Sequence, residues 1–119
     1  MGYDLRSSAI KSRSGKIKFR KTDRDTSLYH IGVWLATASD EDRDAVDHVD
    51  YLLHPSFRTR ERTSANRAND FSITFWAWGA FEIKATVHFV DERRKPVTIL
   101  HELQPDLPRD TGDNYEQVD

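Results

Sequence analysis

The sequence predicts an all-β fold, an antiparallel β-sandwich, from the patterning of its apolar residues. Apolar and polar side chains alternate at period two in several separate runs, and turn-forming or charged segments stand between them. No stretch sustains the 3.6-residue apolar stripe of a helix. With 119 residues and 37% hydrophobic content there is material for one modest core, so a single domain is expected.

Residues 1–15 read as a basic, solvated lead-in that is free to be flexible. Lys16 to Arg20 follows as a short amphipathic edge strand, with Ile17 and Phe19 alternating against lysine and arginine. Tyr29 to Ala36 is stronger, because Ile31, Val33 and Leu35 alternate against His30, Gly32 and Trp34. An acidic stretch around Asp40 to Asp50 then interrupts the pattern and is expected to be solvated. In the next strand Val49, Tyr51 and Leu53 point one way, while Asp50, Leu52 and His54 point the other. The strand therefore delivers His54 to its own end. Arg58 to Asn69 is a polar connection carrying Arg58, Arg60, Arg62 and Arg67, with no core residue expected in it. Phe71, Ile73 and Phe75 define another strand, and Trp76 to Ala80 a turn built on Gly79. Phe81, Ile83, Ala85, Val87 and Phe89 form the clearest strand, whose other face of Glu82, Lys84, Thr86 and His88 is expected to meet solvent. Asp91 to Pro96 reads as a turn and Val97 to Leu103 as the last strand. The expected division is a basic segment over 1–15, a sandwich over 16–104 and an acidic tail over 105–119, too poor in apolar residues to fold alone.

Composition excludes several chemistries. The chain has no cysteine, which removes disulfides, thiolate metal sites and cysteine nucleophiles, and suits a reducing compartment. No apolar stretch approaches the roughly 20 residues that span a bilayer, and no hydrophobic signal segment opens the sequence, so a soluble cytoplasmic protein is expected. Net charge is only −2, with a basic start from Arg6 to Arg24 and an acidic end that includes Asp106, Asp110, Asp113, Glu116 and Asp119. The basic run at Lys16 to Lys21 reads better as an edge strand than as a nucleic-acid arm. The five histidines stand singly without any recognisable zinc spacing, so no metal and no cofactor is expected. His54 and Ser56 lie two apart, on one face of an extended chain. A hydrolase would also need an orienting acid and an oxyanion hole, and no nucleophile elbow surrounds Ser56, so catalysis is not expected.

What remains is a pair of aromatic motifs at strand–loop junctions, Leu53-His54-Pro55-Ser56-Phe57 and Trp78-Gly79-Ala80-Phe81. They supply aromatic surface and hydrogen-bonding groups, the equipment of a binding site. The competing reading makes Phe57 and Trp78 caps on the end of the core, His54 a partner for a loop carbonyl and Ser56 a turn-forming hydroxyl. Phe81 is in phase with Ile83 and Val87 and suits the core as well as a pocket. Trp34 and Trp76 read as packing residues.

In order and spacing, the Val33-Trp34-Leu35 strand, the Val49-Asp50-Tyr51 strand running into Leu-His-Pro-Ser-Phe, and the Trp-Gly-x-Phe motif together resemble a YEATS domain. The resemblance covers Tyr29 to Phe89, about half the chain, and Pro55 and the compact length are most similar to the prokaryotic branch. It implies an immunoglobulin-like sandwich that reads acetyl- or crotonyl-lysine on a peptide or protein partner. Carried over, the aromatic sandwich falls on Phe57 and Trp78, the hydroxyl that accepts from the acyl-amide N–H on Ser56, and the supporting histidine on His54. Phe81 would line the back, and a backbone N–H near Trp78 would donate to the acyl carbonyl. Gly79 would bring Trp78 over the channel without a Cβ clash, and Tyr29 is the one aromatic placed to replace that of the usual first loop. Ala77 stands where a glycine is usual and would narrow the channel. The prokaryotic branch is associated with signalling or defence systems, so the alternative is a protein–protein interaction module that keeps the fold without acyl-lysine binding.

Overall fold

The computed structural model describes residues 2–103 and 107–118. Among them, the strands are β1 (Tyr3–Ala9), β2 (Ile17–Lys21), β3 (Ser27–Thr37), β4 (Val46–Leu52), β5 (Glu61–Ser64), β6 (Ile73–Ala77), β7 (Phe81–Phe89), β8 (Val97–Leu103) and β9 (Tyr115–Gln117). A five-residue helix, α1 (Asp40–Asp44), and a 3-10 turn at Arg67–Asn69 complete the regular structure. The expected boundary at 104–105 and the charges of Asp106 and Asp119 lie outside the described residues.

Two sheets face each other. The first is organised around β3, which pairs antiparallel with β1 and β2 along one edge and with β6 along the other; β9 adds to β2 in parallel. The second is antiparallel throughout, in the order β5-β4-β7-β8. Between them lie Leu5, Ile31, Val33 and Leu35, with Phe75 from β6, opposite Val49 and Tyr51 of β4, Leu53 just after it, and Ile83, Ala85 and Val87 of β7. Alternation predicts this arrangement for all of them except Leu5, and on the outer face of β7 Glu82 and Lys84 are exposed while Thr86 and His88 are half-buried.

Several elements depart from expectation. Residues 3–9 are not a free lead-in, since they form β1 against β3 and bury Leu5. The acidic stretch folds as α1 and the start of β4. Ser39 caps α1 by accepting from the Asp42 N–H, and Asp40, Glu41 and Asp42 fill a first turn where negative charge is favoured. The Arg58 to Asn69 connection contains β5, paired with β4, and buries Ser64. Trp76 and Ala77 belong to β6, so the turn before β7 is only Trp78 to Ala80. In the acidic tail, β9 docks Tyr115 edge-on against Phe19 and Tyr29.

One buried polar contact ties the sheets together. The Tyr51 hydroxyl, on β4, donates at 2.6 Å to the carbonyl of Phe71, just before β6. Burial pushes the Tyr51 phenol well above its ordinary pKa, so it remains a donor across the working range. Phe71 and the preceding Asp70 both have left-handed backbones, at φ 56° and 58°. Non-glycine residues hold such conformations where surrounding bonds fix them. Here the Asp70 carbonyl accepts from the Leu35 N–H at 2.9 Å and the Phe71 N–H donates to the Asn66 carbonyl at 2.9 Å. Tyr51→Phe strands the Phe71 carbonyl in the core, and a loss of about 1–3 kcal/mol is expected in denaturant unfolding, with the native circular dichroism spectrum retained. Unchanged stability would show that the contact is not needed to hold the reversal.

Candidate functional site

The two aromatic motifs meet at one end of the sandwich. The chain leaves β4 at Leu52 and turns through His54 to Phe57, closed by the Phe57 N–H donating to the His54 carbonyl at 3.0 Å. The loop is pinned at its base, where the Leu53 N–H donates to the Arg60 carbonyl at 2.9 Å and Arg60 Nε donates back to the Leu53 carbonyl at 2.9 Å. On the neighbouring strand, β7 begins at Phe81 and the preceding turn carries Trp78.

The rings form one cluster. Phe57 and Trp78 stack at 5.8 Å between centroids and 27° between planes. Phe81 lies beneath both, 5.4 Å from Phe57 and 6.2 Å from Trp78. His54 meets Trp78 edge-on at 5.6 Å and Phe81 at 6.1 Å. Phe75 supports Phe57 from the core at 5.5 Å. Phe57 is half-buried, whereas Trp78 is 43% exposed. Phe81 is buried with the core and also in contact with the exposed rings.

His54 and Ser56 form a polar pair at the rim. His54 Nδ1 lies 2.7 Å from Ser56 Oγ and also accepts the Ser56 backbone N–H at 3.1 Å. A nitrogen that accepts from a backbone N–H carries no proton, so the Ser56 hydroxyl donates to it and keeps its own lone pairs as acceptors. The pair therefore presents an oriented acceptor beside the rings. Among the described residues no carboxylate is hydrogen-bonded to His54, so the pair lacks the orienting acid of a triad.

Two predicted participants behave differently. A Cβ built on Gly79 would meet nothing within 4 Å, and its backbone is not left-handed. The turn itself therefore does not require glycine there, contrary to the clash argument. Tyr29, at the register position opposite Ala77, packs its ring on Tyr115 at 6.2 Å and not on the Phe57–Trp78 cluster. Ala77 is buried in the core.

Phe75 and the β2–β3 turn are contributors that sequence reasoning missed at this site. Phe75 carries only the alternation signal of a core residue. The turn flanks Trp78 with an open groove of about 380 Å³, lined by Thr22, Asp23, Arg24, Thr26 and Leu28. Its shape comes from Asp25 at φ 61° and a Thr22–Thr26 hydrogen bond of 3.0 Å, and nothing in the local sequence connects it to Trp78.

This architecture has known counterparts. A family model of the prokaryotic YEATS domain matches residues 29–99. Among solved structures, the yeast AF-9 homolog protein Yaf9 is similar with a TM-score of 0.61 and 19% identity, over 87% of this chain and 68% of that one. The Yaf9 YEATS domain recognising an H3K122suc peptide is similar with a TM-score of 0.58 and 24% identity, over 87% of this chain and 75% of that one. The same yeast domain bound to H3K27ac gives a TM-score of 0.55 and 21% identity, over 90% of this chain and 70% of that one. At these identities the likeness establishes the fold, an immunoglobulin-like β-sandwich, and the family match over residues 29–99 adds the lineage: this chain belongs to the prokaryotic YEATS domain family.

Proposed function

We propose that the chain is a reader-type binding module that takes the acyl amide of an acetylated or crotonylated lysine between Phe57 and Trp78. The observation that carries this reading is the convergence of stacked rings and an oriented hydroxyl acceptor at one sandwich end. YEATS domains are binding modules, and the yeast neighbours are described with acylated H3 peptides. In this reading Ser56 Oγ accepts from the acyl-amide N–H, and a backbone N–H near Trp78 donates to the acyl carbonyl. His54 holds the Ser56 hydroxyl in place, Phe81 forms the floor, and Gly79 leaves room for the ligand above the turn. The peptide flank lies along the groove beside Trp78, and no cofactor is needed. The partner is an acylated-lysine peptide or protein.

Desolvation supplies the selectivity. Acylation removes the lysine charge, and the flat neutral amide stacks on aromatic faces for about 0.5–1.5 kcal/mol per contact beyond area burial. Burying an unmodified ammonium without a counter-ion costs several kcal/mol. Methyl-lysine, which keeps its charge, is less suited, because no carboxylate is among the residues of either motif.

The spacing of the rings sets a condition on this reading. An amide plane in contact with two ring faces needs about 7 Å between them, against 5.8 Å here, so Trp78 must swing outward by about 1 Å. Its exposure and the open space around Gly79 leave it free to do so. The same close spacing favours the second reading, a protein-interaction module whose rings stay shut and whose partner binds without acyl dependence.

Calorimetric titration with matched peptides bearing unmodified, trimethylated, acetylated and crotonylated lysine separates the two. The reader account expects saturable binding of the acyl peptides alone. Ser56→Ala should weaken it about tenfold, the worth of one hydrogen bond near 1.4 kcal/mol, with little change in thermal midpoint. Trp78→Ala should abolish acyl-dependent binding and, at an exposed position, leave the fold intact. Phe57→Ala is expected to lose stability as well, since Phe57 packs on Phe75 and Phe81. Equal or absent binding of all the peptides to folded protein would refute the reader account and favour the interaction module.

A further inference from the structure

A second constellation lies on the outer face of β4 and β7. The register sets His48 directly opposite His88, and the two imidazoles stack at 4.3 Å with 11° between planes. Asp50, two residues along β4 and so on the same face, brings Oδ2 to 2.9 Å from His88 Nε2 and 3.7 Å from His48 Nε2. One ligand atom from each of the three lies within 4.8 Å of the others. In sequence these residues form no motif; only the strand pairing joins them.

Two further residues orient the set. Asp47 Oδ2 lies 2.7 Å from His48 Nδ1, an arrangement that places the ring proton on Nδ1 and leaves the Nε2 lone pair toward Asp50. Thr63, on β5, donates from Oγ1 to Asp50 Oδ1 at 2.6 Å and leaves Oδ2 to the histidines. A carboxylate behind a histidine, and a hydrogen bond behind a carboxylate, are the supports that metal-ligating side chains carry.

We propose that His48, Asp50 and His88 bind a divalent transition-metal ion of the zinc type, oriented by Asp47 and Thr63. Bonds of about 2.0 Å in a tetrahedral site place neighbouring ligand atoms about 3.3 Å apart. In the metal-free chain the 2.9 Å contact is a hydrogen bond that His88 Nε2 donates to Asp50 Oδ2; the metal displaces that proton, this separation lengthens, and the 3.7 Å one shortens. The stacked rings must turn to converge, and each side chain, 31% exposed, has room to do so. Two imidazoles and one carboxylate suit zinc, cobalt or nickel, whereas magnesium and calcium prefer oxygen alone. The two histidines border a depression of about 330 Å³ that is also lined by Asp47, Glu92 and Arg94. The ion would also clamp β4 to β7.

The test uses the full chain without a histidine tag. Cobalt(II) is titrated and followed by its visible absorption, and zinc is measured by calorimetry against a competing chelator. One equivalent of each is expected, with a tetrahedral cobalt spectrum, a zinc-dependent rise in thermal midpoint and no displacement by excess magnesium. His88→Ala should remove binding. Asp47→Ala, which deletes a support and no ligand, should weaken it about 10–100-fold. All these side chains face outward, so the variants leave the core untouched, and circular dichroism checks that they are folded. Absence of saturable zinc and cobalt binding to the folded wild-type chain would overturn the proposal. So would binding that survives in the His48→Ala/His88→Ala double variant.

Discussion

The antiparallel register of β4 against β7 is the constraint on which the rest of the structure depends. It pairs Val49 with Val87 and Tyr51 with Ala85 on the buried face, and His48 with His88 on the outer one. Side chains alternate along a strand, so a slip of β4 by one residue would send Tyr51 to solvent and His48 into the core. An irregularity between Val46 and His48 absorbs one residue near the start of β4 and sets the phase of everything after it. At the opposite end the same pairing fixes where the two loops emerge. β4 ends at Leu52 and β7 begins at Phe81, so the loop carrying Phe57 and the turn carrying Trp78 leave adjacent strands side by side.

Tyr51 extends that constraint to the other sheet. Its hydroxyl crosses the core to the Phe71 carbonyl, where two left-handed residues redirect the chain into β6. β6 in turn presents Phe75 beneath Phe57 and ends next to Trp78. The aromatic cluster is therefore assembled from both sheets, although both signature motifs sit at the ends of strands of one. Its inner members, Phe75 and Phe81, are held by core packing. The outer ring of Trp78 is held by ring contacts to His54, Phe57 and Phe81 and is otherwise exposed. A buried floor under an exposed outer ring is the arrangement that the proposed reader role needs.

The fold was legible where a strand had one wet face and one dry face. Phe81 to Phe89 is the plainest case, since every second residue is buried. Legibility failed where an element is held by backbone bonding and not by its own apolar pattern. β1 buries only Leu5 fully, and β5 consists of Glu61, Arg62, Thr63 and Ser64, yet each is a strand because a neighbour offers an unpaired edge. β9 is placed largely by Tyr115 finding Phe19 and Tyr29, a contact across the length of the chain. At the candidate site, His54, Ser56, Phe57, Trp78 and Phe81 were readable as two compact motifs and do come together. Tyr29 was assigned by position alone and faces another partner, and the steric argument for Gly79 does not hold for the turn by itself. The His48–Asp50–His88 group was invisible in sequence because its spacing exists only across the β4–β7 ladder.

The aromatic end and the histidine face use the same pair of strands but opposite faces and ends, so each can be perturbed without the other. The central claim is that Phe57 and Trp78 enclose a ligand's acyl group above Phe81. Its most direct test is an NMR measurement of intermolecular nuclear Overhauser effects between a labelled protein and a peptide with an acetylated lysine. The account predicts contacts from the acetyl methyl to the ring protons of both Phe57 and Trp78, with the Trp78 indole resonance shifting while those of Trp34 and Trp76 stay in place. Contacts that avoid these two rings, or a bound peptide whose acetyl group remains in solvent, would contradict it.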